Sequence, residues 1–238
     1  MDAAVYAKIK AMQGKRLTES DYRELLRCRS VSEIAGYLKH KTGYADVLSD
    51  INKNTIHRGQ LEQLLRRFLL DEYDRIVNFI DAGADVFYSY FLIKNEVEQL
   101  ISFLRYLHSG MASQYALILP SYLAGKLSIN LFEVAKCESF KQLAELLKTS
   151  RYGHVLQKLN QTFEDGRFSI IQVETTLITF FYHEVLRMID MSVNGKEKDE
   201  MREFFLQRAE LYNIVAAVRA KEKFKLSPEK IKPLLLPF

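Results

Sequence analysis

The chain has 238 residues, 48% of them apolar, with two cysteines and a formal net charge of +4. That length buries one large core or two modest ones, no run reaches the roughly 18 consecutive apolar residues of a membrane span, and two cysteines suffice neither for a disulfide framework nor for a zinc site. The 34 basic and 30 acidic residues are interleaved rather than gathered into one basic face, which argues against a nucleic-acid binder.

Only four prolines and ten glycines punctuate the chain, and no period-two alternation is sustained, so the fold class is all-α. The opening MDAAVYAKIKAMQGK lacks the basic-then-apolar order of a signal peptide, and a cytoplasmic home is the expectation. Lys8, Lys10, Lys15 and Arg16 form a basic group that faces either solvent or an acidic headgroup or partner. Thr18 to Asp21 reads as a weak helix cap before Tyr22, Leu25 and Leu26. Ser30-Val31-Ser32-Glu33 is a capping box, in which Glu33 is expected to reach back to the Ser30 amide, and its helix carries Ile34, Tyr37 and Leu38.

From His57 to Ile80, Leu61, Leu64, Leu65, Phe68, Leu69, Ile76, Val77 and Ile80 predict one continuous buried stripe. A turn at Asp81 to Ala84 leads to a helix over Val86 to His108. Its aromatic start, Phe87-Tyr88-Ser89-Tyr90-Phe91, covers all sides of the helix, so it is either core between two domains or a partner-facing patch; Tyr88 and Tyr90 are candidate contacts. Ser139 to Gln142 is a second capping box, opening a helix with Leu143, Leu146 and Leu147. Two long helices follow, over Phe168 to Met191 and Lys198 to Lys223, joined by a turn at Ser192 to Gly195. Arg219, Lys221, Lys223, Lys225, Lys230 and Lys232 read as a solvated helix end and loop. In Ser227-Pro228-Glu229, Ser fits an N-cap and Pro the first helical position.

The chain repeats itself. Cys28-Arg29-Ser30-Val31-Ser32-Glu33-Ile34-Ala35 aligns with Cys137-Glu138-Ser139-Phe140-Lys141-Gln142-Leu143-Ala144; Leu38-Lys39 matches Leu147-Lys148, and Tyr44, Val47, Leu48 and Asn52 match Tyr152, Val155, Leu156 and Asn160 after a one-residue gap. Phe91 to Arg105 aligns without gaps to Phe205 to Arg219, placing Val97, Leu100, Ile101 and Leu104 on the helix face equivalent to Leu211, Ile214, Val215 and Val218. Arg16-Leu17-Thr18, Lys126-Leu127-Ser128 and Lys225-Leu226-Ser227 each open a module, the third truncated at the C-terminus. The unit of about 110 residues exceeds the 20 to 45 of a solenoid repeat, so duplicated multi-helix domains are expected over 1–110 and 111–224, with the start of a third at 225–238.

This ordered set resembles the C subunit of V-type (A/V-type) ATPases, called the d subunit in eukaryotes. The segments that carry the resemblance are Tyr6-Ala7-Lys8-Ile9-Lys10-Ala11-Met12, Leu17-Thr18 to Tyr22 with Leu25-Leu26, Glu210-Leu211-Tyr212-Asn213-Ile214 to Val218-Arg219, Leu226-Ser227-Pro228-Glu229 and Leu234-Leu235-Leu236-Pro237. The resemblance implies three similar helical domains arranged as a funnel, seated on the membrane rotor ring and receiving the base of the central shaft. Such a subunit transmits torque for ion transport, performs no chemistry and is peripheral to the membrane through the complex. Gln99 stands where the second copy has Asn213, a departure from the motif in the first copy. Candidate partner contacts are Lys8, Lys10, Tyr88, Tyr90, Glu210, Asn213 and Arg219.

The sequence carries no Gly-rich phosphate loop, so ATP binding is not expected. His183-Glu184 lacks the second histidine of a zinc-protease motif, and no serine or cysteine sits in a nucleophile elbow. No catalytic residue, cofactor, metal site, nucleic acid or small-molecule substrate is expected. Cys28 and Cys137 read as a duplicated core position. Glu96 and Arg105, repeated as Glu210 and Arg219, stand nine residues apart, too far for a one-turn ion pair, so each bridges to another helix or meets a partner. Two other classes compete with the rotor adaptor: an unrelated helical-repeat interaction scaffold, and an all-helical enzyme whose site is assembled from distant residues.

Overall fold

A computed structural model describes residues 3–51, 56–77, 89–163 and 168–238, and among them every regular element is a helix. The chain divides into two compact units, Met1–Ala84 and Asp85–Phe238.

The first unit holds α1 (Ala3–Gln13), α2 (Glu19–Arg27), α3 (Val31–Lys41) and α4 (Arg58–Val77). Its core gathers Ala35, Leu38, Leu48, Ile56 and Leu61, with Leu17, Leu25, Ile34 and Val47 partly buried around them. Helix α2 starts on a full capping box: the Thr18 hydroxyl accepts the Asp21 amide at 3.2 Å, and the Asp21 carboxylate accepts the Thr18 amide at 2.7 Å. The Tyr37 hydroxyl donates to the same carboxylate at 2.7 Å and so ties α3 to α2.

At α3 the expected box is shifted. Ser30 Oγ accepts the Glu33 amide at 3.1 Å, but the Glu33 carboxylate takes the amide of Arg29 at 2.7 Å, not that of Ser30. Glu33 thus meets the amide one residue before the N-cap, where Asp21 meets that of the N-cap itself. The stripe predicted along α4 is also interrupted: Leu61 and Leu70 are buried, Leu64, Leu65 and Phe68 are half-buried, and Leu69 is exposed. Ile80 and the turn at Asp81 to Ala84 lie outside the described residues.

The second unit holds α5 (Tyr90–His108), α6 (Ala112–Ile118), α7 (Leu131–Val134), α8 (Phe140–Leu146), α9 (Gly153–Thr162), α10 (Ile170–Ser192), α11 (Gly195–Glu222) and α12 (Pro228–Ile231). Helix α5 packs on α6 and α10, α8 on α9, and α10 on α11. The α10–α11 reversal falls where the sequence places it, and Gly195 supplies a φ of +63° there, a conformation that residues with a Cβ rarely adopt. The helix predicted from Val86 is described from Tyr90 onward, and it stands in the second unit although the repeat assigns it to the first copy. Ser227 takes the N-cap backbone conformation of α12 with Pro228 next to it, but its side chain makes no capping bond.

Local devices recur at the aligned positions. Ser139 Oγ accepts the Gln142 amide at 3.2 Å while Gln142 accepts the Glu138 amide at 2.7 Å, the same shifted box as at Ser30. The thiols of Cys28 and Cys137 lie 3.5 and 3.7 Å from the carbonyls of Glu24 and Glu133, each four residues back. Thr42 Oγ1 donates to the Leu38 carbonyl and accepts the Tyr44 amide, as Ser150 Oγ donates to Leu147 and accepts the Tyr152 amide.

Candidate partner-binding surfaces

The strongest polar construction lies inside the second unit. Glu96 on α5 is 1% exposed, and both carboxylate oxygens are used: one accepts the Ser128 amide at 2.5 Å, the other the Tyr152 hydroxyl at 2.5 Å, with Arg151 Nε 4.0 Å away. Burial, then the Glu96 charge and the hydrogen bond, hold the Tyr152 hydroxyl protonated far above the usual phenol range. Sequence reading singled out Glu96 but not Tyr152 or Ser128 as its partners; neither stands near it along the chain, so nothing short of the fold pairs them. One turn on, Gln99 accepts the hydroxyl of the buried Tyr115 at 3.1 Å. At the end of α5, Arg105 grips Glu174 on α10 with two bonds of 2.6 and 2.9 Å. Glu96 and Arg105 therefore each bridge to another part of the second unit, as their nine-residue separation demands.

The second copies of these residues behave differently. Glu210 and Arg219 on α11 are exposed, and neither forms an ion pair among the described residues. Asn213 has an internal partner: its Nδ2 donates to the Leu236 carbonyl at 2.9 Å and its Oδ1 accepts the Leu236 amide at 2.7 Å. That two-point clamp seats the buried Leu236 among Tyr182, Val185, Leu186, Ile189, Phe205 and Ala209. The Asn in the motif thus fastens the segment after α12 back onto α11.

Of the remaining candidates, Tyr90 is a packing residue. Its ring meets Phe205 edge-on at 5.7 Å, it is half-buried, and burial raises its hydroxyl above the usual range. Tyr88 lies outside the described residues. On α1, Lys10 is exposed with its ammonium 5.4 Å from the Tyr6 ring, whereas Lys8 is half-buried. A cleft of about 520 Å³ in the first unit is bordered by Lys15, Asp46, Phe68, Asp71, Glu72 and Arg75; Arg67 pairs with Asp71 at 3.8 Å and Arg75 with Glu72 at 2.6 Å. Those two pairs cancel four of its charges, and Lys15, Asp46 and Asp50 line it as well. Among the described residues no group of His, Cys, Asp and Glu is placed to hold a metal ion, and no helix is long and apolar enough to cross a membrane.

Comparison with known proteins gives one family. A family model described as ATP synthase (C/AC39) subunit matches residues 5–238. The chain is similar to the C subunit of the A-type ATP synthase of Desulfurococcus sp. (strain SY), with 28% identity over 97% of this chain and 60% of that protein. It is similar also to the subunits of the same name from Thermococcus onnurineus and Thermococcus kodakarensis, at 26% and 22% identity and the same coverage. The chain therefore spans about three-fifths of the length of the curated relatives it matches. No solved structure matches it significantly.

Proposed function

This chain belongs to the ATP synthase (C/AC39) subunit family, and from that premise we propose that it is a non-catalytic adaptor in the central stalk of a rotary A/V-type ATPase. It joins the central shaft to the membrane ion-translocating ring and transmits torque between them for proton or sodium transport. Its body is a pair of duplicated helical modules with the start of a third, and it meets the membrane only peripherally, through the ring. The observation that carries this reading is the family match, which runs nearly the whole length of the chain. Family membership removes the unrelated-scaffold alternative.

The architecture is suited to the task. Torque is passed by surfaces that keep their shape, and helices of 23 and 28 residues, α10 and α11, packed along each other make a stiff lever. Exposed polar residues such as Lys10, Glu210 and Arg219 are available at the surface for partners.

Co-purification tests the proposal: the tagged chain is mixed with the central-shaft subunits and the rotor ring of an A/V-type ATPase from the same source. Retention of the shaft in equal stoichiometry after a high-salt wash supports the adaptor role. Retention of neither shaft nor ring, by this chain and by a version extended with a third module, overturns it.

A further inference from the structure

We propose that the groove between α10 and α11 is a docking site for a Leu-Pro-aromatic segment of a partner protein, and that residues 234–238 of this chain hold it closed. The proposal is independent of the rotor role. The segment is seated in three ways. Both main-chain polar groups of Leu236 are read by one side chain: Asn213 Nδ2 donates to its carbonyl at 2.9 Å, and Asn213 Oδ1 accepts its amide at 2.7 Å. The Leu236 side chain, 3% exposed, enters a pocket of Tyr182, Val185, Leu186 and Ile189 on α10 and Phe205 and Ala209 on α11. The chain turns at Pro237, where the Phe238 amide donates to the Leu236 carbonyl at 3.0 Å, and the Phe238 ring lands 5.8 Å from Tyr182 and 4.8 Å from His183. Main-chain hydrogen bonds that give affinity, with side-chain pockets that give specificity, are how proteins bind peptides. Gln99, the aligned residue on α5, instead spends its carbonyl on the Tyr115 hydroxyl, a contact that only one side chain offers. Asn213 reads backbone, which any segment offers.

The occupant is releasable. From Lys221 to Phe238, Leu236 is the one buried residue, so the hold rests on a single side chain and the two Asn213 bonds, with Phe238 at the rim. The walls, α10 and α11, pack on each other and keep the pocket without it. Segments with few buried contacts open locally while the body stays folded. Lys225, at φ +52°, turns the chain at the end of α11 and starts the returning strap. The seat is also imperfectly filled: Phe238 is 43% exposed, and Leu234 and Leu235 are half-buried. A second copy brings the same segment and gains nothing over the tethered one, whose effective concentration is higher. A foreign segment that buries its aromatic ring fully displaces it. The partner therefore presents an exposed apolar stretch with leucine, proline and an aromatic residue in that order.

The test uses the full chain carrying Leu236→Asp and Phe238→Ala, which vacates the groove and leaves its walls unaltered. The probe is a labelled synthetic peptide of residues 230–238. Fluorescence anisotropy is expected to show saturable binding to this variant, and at least tenfold weaker binding to the unaltered chain, whose own segment competes. Adding Asn213→Ala to the variant, or N-methylating the peptide at its Leu236 amide, is expected to weaken binding at least tenfold. No binding to a variant whose helix circular dichroism is intact overturns the proposal, and so does binding that ignores Asn213→Ala. If the variant does not fold, hydrogen exchange on the unaltered chain decides. The Leu236 amide is expected to exchange at least tenfold faster than the Ile189 amide, and equal rates overturn the proposal. A concentration-dependent dimer of the unaltered chain that Leu236→Asp dissolves overturns it too, since a second copy is then the occupant. No arm contains shaft or ring, so the result is independent of the co-purification.

Discussion

Replacing Glu96 and Glu210 by alanine in parallel separates a buried hydrogen-bond hub from its exposed repeat counterpart. Glu96→Ala leaves two donors without an acceptor, the Ser128 amide and the Tyr152 hydroxyl, in a site where the glutamate is 1% exposed. An unsatisfied buried donor costs about 1–3 kcal/mol, so the pair costs about 2–6 kcal/mol, trimmed by relief of the buried charge. Glu210→Ala removes an exposed side chain with no ion pair among the described residues and should stay within about 0.5 kcal/mol. The chain has no tryptophan, so the assay is urea unfolding followed by helix circular dichroism, with exchange of the Ser128 amide as a local readout. With an m-value of about 1–3 kcal/mol per molar urea, Glu96→Ala should lower the midpoint by about 1–2 M and expose the Ser128 amide. Tyr152→Phe should cost about 1–2 kcal/mol, and less than that once Glu96 is gone. Equal midpoints for the two alanine variants, or an unchanged Ser128 exchange rate, would refute the assignment of Glu96 as the hub.

Other consequences are smaller or more local. Ser30→Ala and Ser139→Ala remove N-caps of the same shifted geometry, so each should cost about 1 kcal/mol in its own unit, read by denaturation. Asn213→Ala should cost about 1–3 kcal/mol and release the segment around Leu236, seen as faster exchange and proteolysis after residue 225. Gly153→Ala would set a Cβ 2.0 Å from the Lys148 carbonyl oxygen, so the start of α9 must move; a loss of about 1–3 kcal/mol is expected in denaturation. Asp21 is held below the ordinary carboxylate value of 3.8, first by the Thr18 hydroxyl, then by the Thr18 amide and Tyr37. A depressed carboxyl stabilises above its unfolded value and loses that as pH falls through the folded one, so the acid limb below about pH 3.8 should flatten in Asp21→Asn. Tyr37, pushed up to about 12 chiefly by its bond to Asp21, has the opposite sign. Its contribution is complete below pH 10 and fades as pH rises to about 12; absorbance titration should show it moving toward 10 in Asp21→Asn.

Much of the fold was legible in the residues because helices announce themselves locally. Apolar spacing of three and four, the Ser and Thr caps, and the glycine at the α10–α11 reversal are set within one or two turns, and they placed α3, α8, α10 and α11 closely. The family followed from the same local patterns. What the sequence could not determine is which side of an apolar helix is covered. Leu211, Ile214, Val215 and Val218 match the α5 core residues in kind, yet one set is buried and the other bare, because burial belongs to the neighbour and not to the helix. Leu69 on α4 departs from its predicted stripe for the same reason. The partners of Glu96, Arg105 and Asn213 lie 32, 56, 69 and 23 residues away. Only the closing of the chain over such separations turns a carboxylate, a guanidinium and an amide into a hub, a brace and a clamp.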